Sequence, residues 1–377
     1  MGAFYRRLCL LAALVGSLVS VAAAAQTRIG FANPLAGPYV ASASRNRAAA
    51  EAAVGDLNRV GGVLGQRLAL VAVDDGCGVE QAVRAAEVLV AADVRMVVGH
   101  MCSHSSLMAA AVYEAAGIVM ISPDSTHPRL TEEGRDNIFR LVGRDDRQGR
   151  LAGDLLATVH GNRRIAILHD GSTYGAGLAL QTRRRLREWG RAERLFLRYA
   201  PGAADHEGLA ERLVGEGAEV VYVGGYGPDA ARILLAVRAR GSGLQLIGGD
   251  GLGMEEFAAI AGRAADGTIF SNRRDVRSSP AAAPVLAALR DRGLDSRPGG
   301  GGGLAAYAAI QVWAQAVERA GRLDEAEVVR TLRRGRFATV LGPVAFDGKG
   351  DLESADWEWH VWQGGDYRGY APPVAMR

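Results

Sequence analysis

The chain has 377 residues, 44 Lys and Arg against 41 Asp and Glu, and a formal net charge of +3. Removing an N-terminal leader that carries Arg6 and Arg7 takes the charge to +1 (3 − 2), which leaves no electrostatic case for nucleic acid or an anionic membrane surface. The remaining chain of about 350 residues is long enough for two domains, each with its own core.

The leader is read from Arg6-Arg7, the apolar stretch 8–21 and the small residues Ala22, Ala23 and Ala24. The stretch is too short for a typical membrane span, so residues 1–25 read as a signal peptide cleaved near Ala24-Ala25. Cys9 lies inside the apolar core, well ahead of cleavage, and is not placed as a lipid-anchor cysteine. The mature protein is therefore expected to be exported. Two cysteines remain, Cys77 and Cys102, each following an apolar run that reads as a strand. They are either a disulfide or two buried thiols, and an oxidising compartment favours the disulfide. A bridge closing a loop of this length stabilises by roughly 3 kcal/mol in the chain-entropy model.

Strand patterns at 28–33, 68–74, 96–99, 118–122 and 138–142 alternate with helical patterns at 45–59, 79–91 and 106–116. A second series places strands at 164–170, 195–199, 220–224, 246–248 and 268–271. Its helices fall at 146–160, 177–189, 206–216, 228–240 and 255–261. Strands separated by helices of this length predict parallel sheets covered on both faces. The fold class is α/β, with two doubly wound lobes joined by a multi-strand hinge.

The last third reads differently, with helices at 280–292, 304–321 and 325–334, then a hairpin-like stretch at 339–346 and 357–362. It is expected to return to the first lobe and finish in the second. That divides the chain into 26–143 plus 275–354, and 144–274 plus 355–377. A ligand cleft would lie between the lobes, at the carboxyl ends of their strands. The glycine run 299–303 reads as a flexible loop.

Enzymatic motifs are missing. The glycines at 249, 251 and 253 lack the dinucleotide spacing, and 342–349 misses a P-loop by one residue and by its Ser/Thr. His100, Cys102 and His104 alternate along the chain and would point to opposite sides, so no metal centre is expected. No nucleophile elbow surrounds Ser103 or Ser105. Asp347, Asp351 and Glu353 lack the pattern of a calcium loop and read as a turn. Neither a cofactor nor catalysis is expected.

What remains is a binding constellation. Ser103 opens a Ser-rich helix start, where unpaired N–H groups and the helix dipole suit a carboxylate. Thr126 lies in the loop after 118–122, Tyr174 in TYGAG, Tyr226 after VVYVGG and Asp250 after QLIGG. Singly, these residues read as helix caps or rim aromatics. Together they fall where an open α/β sheet binds its ligand. They predict a receptor for a small anionic or zwitterionic molecule.

The segments PLAGPY (34–39), DLNRVGGVLG (56–65), VDDGC (73–77), VVGHMCSHSS (97–106), MISPDSTHPRLT (120–131), VYVGGYGPD (221–229) and GPVAFDGKGDL (342–352) carry a resemblance that spans nearly the whole mature chain. The sequence resembles the periplasmic leucine/isoleucine/valine-binding proteins, the solute receptors of branched-chain amino acid ABC transporters, which have the type I periplasmic binding fold. The resemblance implies a periplasmic location, a Cys77–Cys102 disulfide, a monomer and an inner-membrane permease as partner. It implies that Ser103 and neighbouring amides hold an α-carboxylate, and that Asp250 and Thr126 take the α-ammonium. The backbone at Asp124 and the rings of Tyr174 and Tyr226 would complete the site. A periplasmic amino-acid or amide sensor feeding a regulator is the alternative, because such sensors share the fold.

Three departures from that family stand out. Ser42 replaces an aromatic, although Tyr39 is close by; the glycine run replaces an apolar wall; and Asp124 occupies a position that is usually small, while Asp250 is one methylene shorter than the usual glutamate. These changes imply a roomier, less apolar pocket suited to a polar, larger or cationic side chain. That holds unless Asp124 points to solvent or caps a turn.

Overall fold

The strand Thr27–Asn33 (β1) buries every residue except Arg28, the pattern of a parallel strand covered on both faces. Its neighbours are Leu68–Asp74 (β2) on one side and Val94–Gly99 (β3) on the other, followed by Val119–Ser122 (β4) and Ile138–Arg140 (β5). All pair in parallel in the order β2-β1-β3-β4-β5. The computed structural model describes residues 26–203, 206–291, 293, 302–355 and 357–373. The expected signal peptide and the glycines at 299–301 lie outside these residues.

Helices Val40–Arg59 (α1), Val79–Ala91 (α2), Ser103–Ala115 (α3) and the short Arg129–Glu132 (α4) connect the first sheet. The second sheet holds Ile165–His169 (β6), Leu195–Arg198 (β7), Val220–Gly224 (β8), Gln245–Gly248 (β9) and Ile269–Arg273 (β10). These five strands lie in the order β7-β6-β8-β9-β10. Their helices are Asp145–Thr158 (α5), Thr173–Glu188 (α6), Glu207–Gly215 (α7), Gly227–Ala239 (α8) and Glu255–Ala261 (α9). Both sheets change winding direction beside their first strand, between β1 and β3 and between β6 and β8. Such switch points open a crevice at the strands' carboxyl ends.

The C-terminal third serves both sheets. Ala283–Asp291 (α10), Gly302–Ala320 (α11), Glu325–Arg334 (α12) and the hairpin Arg336–Thr339 (β11) with Gly342–Ala345 (β12) pack on the first sheet. Trp313, Phe337 and Phe346 share a core there with Phe31 and Phe139. Gly303 lets α11 approach α1 closely, since a Cβ there would sit 3.2 Å from both the Ala49 Cβ and the Arg45 carbonyl oxygen. The chain then crosses back, and Trp357–Gln363 (β13) pairs antiparallel with β10. Asp366–Gly369 (β14) closes the second sheet against β13. Trp362 anchors this return by donating from Nε1 to the Leu252 carbonyl at 2.8 Å.

Three helices begin at least three residues earlier than the sequence pattern suggests. α1 starts at Val40, α3 at Ser103 and α6 at Thr173, each inside a Ser- or Gly-containing run of low helix propensity. Local bonds and packing override that propensity. Ser172 caps α6 by accepting from the Gly175 amide at 2.9 Å. At Gly175 a Cβ would meet Asp170 Oδ1 at 2.2 Å, so the first turn of α6 sits directly on the end of β6.

Candidate functional site

Cys77 and Cys102 form a disulfide with their Cα atoms 5.5 Å apart. It joins the loop after β2 to the residue just before α3. Behind it, Asp75 Oδ2 lies 2.6 Å from His100 Nδ1, and His100 Nε2 lies 3.1 Å from Tyr113 Oη, all buried. The His100 carbonyl accepts from the hydroxyls of Ser122 and Ser125 at 3.0 Å. This scaffold fixes the start of α3, where Ser103 is the first helical residue and is 3% exposed. His104 is bonded to the Cys77 carbonyl at 2.6 Å. The sulfurs of Cys77 and Cys102 lie near His104, but both are spent in the disulfide, so this donor set does not suit a metal.

Ser103, Asp124, Thr126, Tyr174, Tyr226 and Asp250 all line one cavity of ≈ 100 Å³ between the lobes. A single water needs about 10–15 Å³ on this measure, so the space matches a small molecule. Most of the expected residues sit at or just beyond the end of a strand. Ser103 follows β3 and Thr126 follows β4; Tyr226 follows β8, Asp250 follows β9, and Arg273 ends β10. Tyr174 comes from the first turn of α6, after β6.

Asp250 is the electrostatic centre. Its Oδ1 accepts from Tyr174 Oη at 2.8 Å and from Gln148 Nε2 at 3.1 Å. Among the described residues it has no ion-pair partner. Burial pushes its carboxyl above the usual range, against the Tyr174 and Gln148 hydrogen bonds and the Arg273 charge. Burial, with the Asp250 charge added, also raises the Asp145 carboxyl and the Tyr174 phenol well above their ordinary values. A buried carboxylate without an ion pair among the described residues calls for a cation.

Three tyrosines form a row beside Asp250. Tyr174 and Tyr226 ring centroids are 5.1 Å apart, and those of Tyr226 and Tyr39 are 5.0 Å apart. An aromatic from the first lobe, Tyr39, thus meets Tyr226 of the second behind the cavity wall. Ser42 lines the cavity as well, and its amide and hydroxyl donate to Glu256 at 2.9 and 2.6 Å, across the cleft. Arg45 pairs with Glu255 beside it.

Asp124 is largely buried and held by side-chain partners instead of standing free in solvent or capping a turn. Its Oδ1 lies 3.1 Å from Arg273 Nη2, and its Oδ2 accepts from Asn46 Nδ2 at 2.8 Å. The extra acid therefore arrives already neutralised by a cation from the other lobe, which corrects the idea that it stands free for a cationic side chain. Gln148, Arg45, Asn46, Glu255, Asn272 and Arg273 carry no motif and were not legible as site residues. Their roles depend on contacts between segments as far apart as the 210 residues separating Arg45 from Glu255.

Two α/β lobes with a small cavity of mixed lining at the carboxyl ends of both sheets define a cleft-binding solute receptor. The chain belongs to the periplasmic binding protein family, which matches residues 26–356. It is 35% identical to the leucine-, isoleucine-, valine-, threonine- and alanine-binding protein of Pseudomonas aeruginosa, covering 92% of this chain and 93% of that one. An ABC transporter substrate-binding protein from Desulfitobacterium hafniense, solved in complex with Leu, is 26% identical with a TM-score of 0.74, covering 92% of this chain and 100% of that one. A leucine-binding protein from Thermotoga maritima shares the fold with a TM-score of 0.83 at 22% identity, covering 92% and 98%. No helix among the described residues is long and apolar enough to cross a membrane.

Proposed function

We propose that this protein is the solute-binding component of an ABC importer, a non-enzymatic periplasmic receptor that takes a free amino acid between its lobes and presents it to a membrane permease. The observation that carries this reading is Asp250, a carboxylate oriented by Tyr174 and Gln148 that has no ion-pair partner among the described residues. An α-ammonium would supply the missing charge, and a charge-assisted hydrogen bond in a cleft shielded from water is a strong one. Ser103 and the free amides of the α3 start suit the α-carboxylate, with Thr126 beside them. Tyr174 and Tyr226 would cover the ligand from the second lobe.

The lobes are taken as 26–143 plus 275–354, and 144–274 plus 355–377. The three passages of the chain between the two sheets support a hinge at those boundaries. Ligand contacts from both lobes would make closure a population shift. The relatives' names do not favour the alternative of a sensor feeding a regulator. The test is a thermal-shift screen of the ligand-stripped mature protein against the common amino acids. Ligand at 100 times its dissociation constant adds about 2.7 kcal/mol, so a true ligand is easily seen. A screen without any shift contradicts the reading.

A further inference from the structure

The proposed amino-acid reading accounts for the ligand's charged ends and leaves its side chain open; the inference here rests on that reading. The rest of the cavity wall sets Asn46, Asp124, Glu255, Asn272 and Arg273 beside apolar Met101, Met254 and Val276. Asp124 and Arg273 come from opposite lobes and meet at 3.1 Å, and Arg273 Nη2 also donates to the Pro123 carbonyl at 2.9 Å. Their side chains remain 18% and 19% exposed. No apolar layer therefore seals this pair off from the cavity that both residues line. The guanidinium also keeps an unmet donor, because the buried Arg273 Nη1 has no hydrogen-bond partner among the described residues.

Side-chain classes fare differently against such a wall. An aliphatic group displaces water from the pair and returns no hydrogen bond, a loss of about tenfold or more in affinity. A cation meets Arg273, with Arg45 and Arg274 on the same lining; an anion meets Asp124, Glu255 and Asp250. A neutral carboxamide or hydroxyl can donate to Asp124 and accept from the arginine, and it adds no charge to a wall that is already paired. We propose that the Asp124–Arg273 pair is the specificity determinant of this receptor, selecting an amino acid with a neutral, hydrogen-bonding side chain, a carboxamide or hydroxyl, over an aliphatic one.

The test is calorimetric titration of the stripped wild type with glutamine, asparagine, threonine and leucine, repeated on Asp124→Asn and on the double variant Asp124→Ala/Arg273→Met. The expected result is that at least one polar ligand binds wild type about tenfold or more tighter than leucine. The ratio should shrink in Asp124→Asn and shrink further or reverse in the double variant. Leucine binding as tightly as the polar ligands overturns the inference while leaving the amino-acid reading in place. So does an equal loss on every ligand in the variants, the mark of a purely structural pair, or a double variant that no longer folds while Asp124→Asn keeps the wild-type ratio. Absence of binding by any amino acid overturns the function reading and this inference with it.

Discussion

The Tyr174 hydroxyl donates to Oδ1 of Asp250 at 2.8 Å and accepts from the Gly251 amide at 3.0 Å. The phenol thus ties the acid to the short turn that carries it. Gln148 also donates to Oδ1, at 3.1 Å, and among the described residues no other side chain donates to Oδ2, which can face an incoming donor. Tyr174→Phe removes one hydrogen bond to a charged group and should weaken amino-acid binding about tenfold or more. Asp250→Ala should abolish it with the fold intact. Calorimetry on both variants checks this; unchanged affinity in Asp250→Ala would remove Asp250 from the site.

Affinity should depend on pH in a definite direction. Burial raises the Asp250 carboxyl in the unliganded protein, and a bound ammonium would favour its ionised form and lower it again. Binding then requires loss of the proton. Affinity should fall as pH drops through the raised value, starting above the usual carboxylate pKa of about 3.9. Asp250→Asn should abolish or flatten that limb. A wild-type affinity constant down to pH 4 would contradict the electrostatic account.

His127 should make stability acid-sensitive by itself. Burial, with Arg129 and Arg140 nearby, pulls its imidazole down to about 4. The unfolded chain binds a proton at about 6.5, so stability falls as pH drops from there toward 4 and levels off below. Melting temperatures from pH 7 to 4 should decline less steeply in His127→Gln than in wild type.

The Cys77–Cys102 bridge closes a loop with a sequence separation of 25. Its loss should cost about 3 kcal/mol through the unfolded state. Cys77→Ser/Cys102→Ser should therefore lower the denaturation midpoint. Because the bridge also positions Ser103, amino-acid affinity should fall as well, by a smaller factor than in Asp250→Ala.

Ser42 and Arg45 reach Glu256 and Glu255 across the cleft. Glu256→Ala should shift the unliganded protein toward open forms, seen as a larger radius of gyration in solution scattering and a few-fold weaker affinity.

The sequence reveals the alternation of strands and helices because both sheets are built from short, doubly covered apolar strands. Helix starts are less legible. At Ser103 and Thr173 the first turns are Ser- and Gly-rich, and packing rather than propensity makes them helical. The sequence pattern ends its strands at 357–362, whereas the structure adds β14 through a turn at Gly364-Gly365, both at positive φ. The six expected site residues all reach one cavity because strand ends converge at the switch points. Arg273 and Gln148 could not be foreseen. Arg273 reaches Asp124 across 149 residues of chain, and Gln148 reaches Asp250 across 102. Only the relation between the lobes creates the first pair, and only the packing of α5 within the second lobe creates the other.

The most direct test of the central claim compares a free amino acid with its N-acetyl derivative. The tightest ligand of the panel is titrated into stripped wild-type protein, then its acetylated form, which keeps the carboxylate and side chain and lacks the ammonium. Pairing with Asp250 predicts loss of at least about a hundredfold in affinity on acetylation. Equal affinity for the two would contradict it.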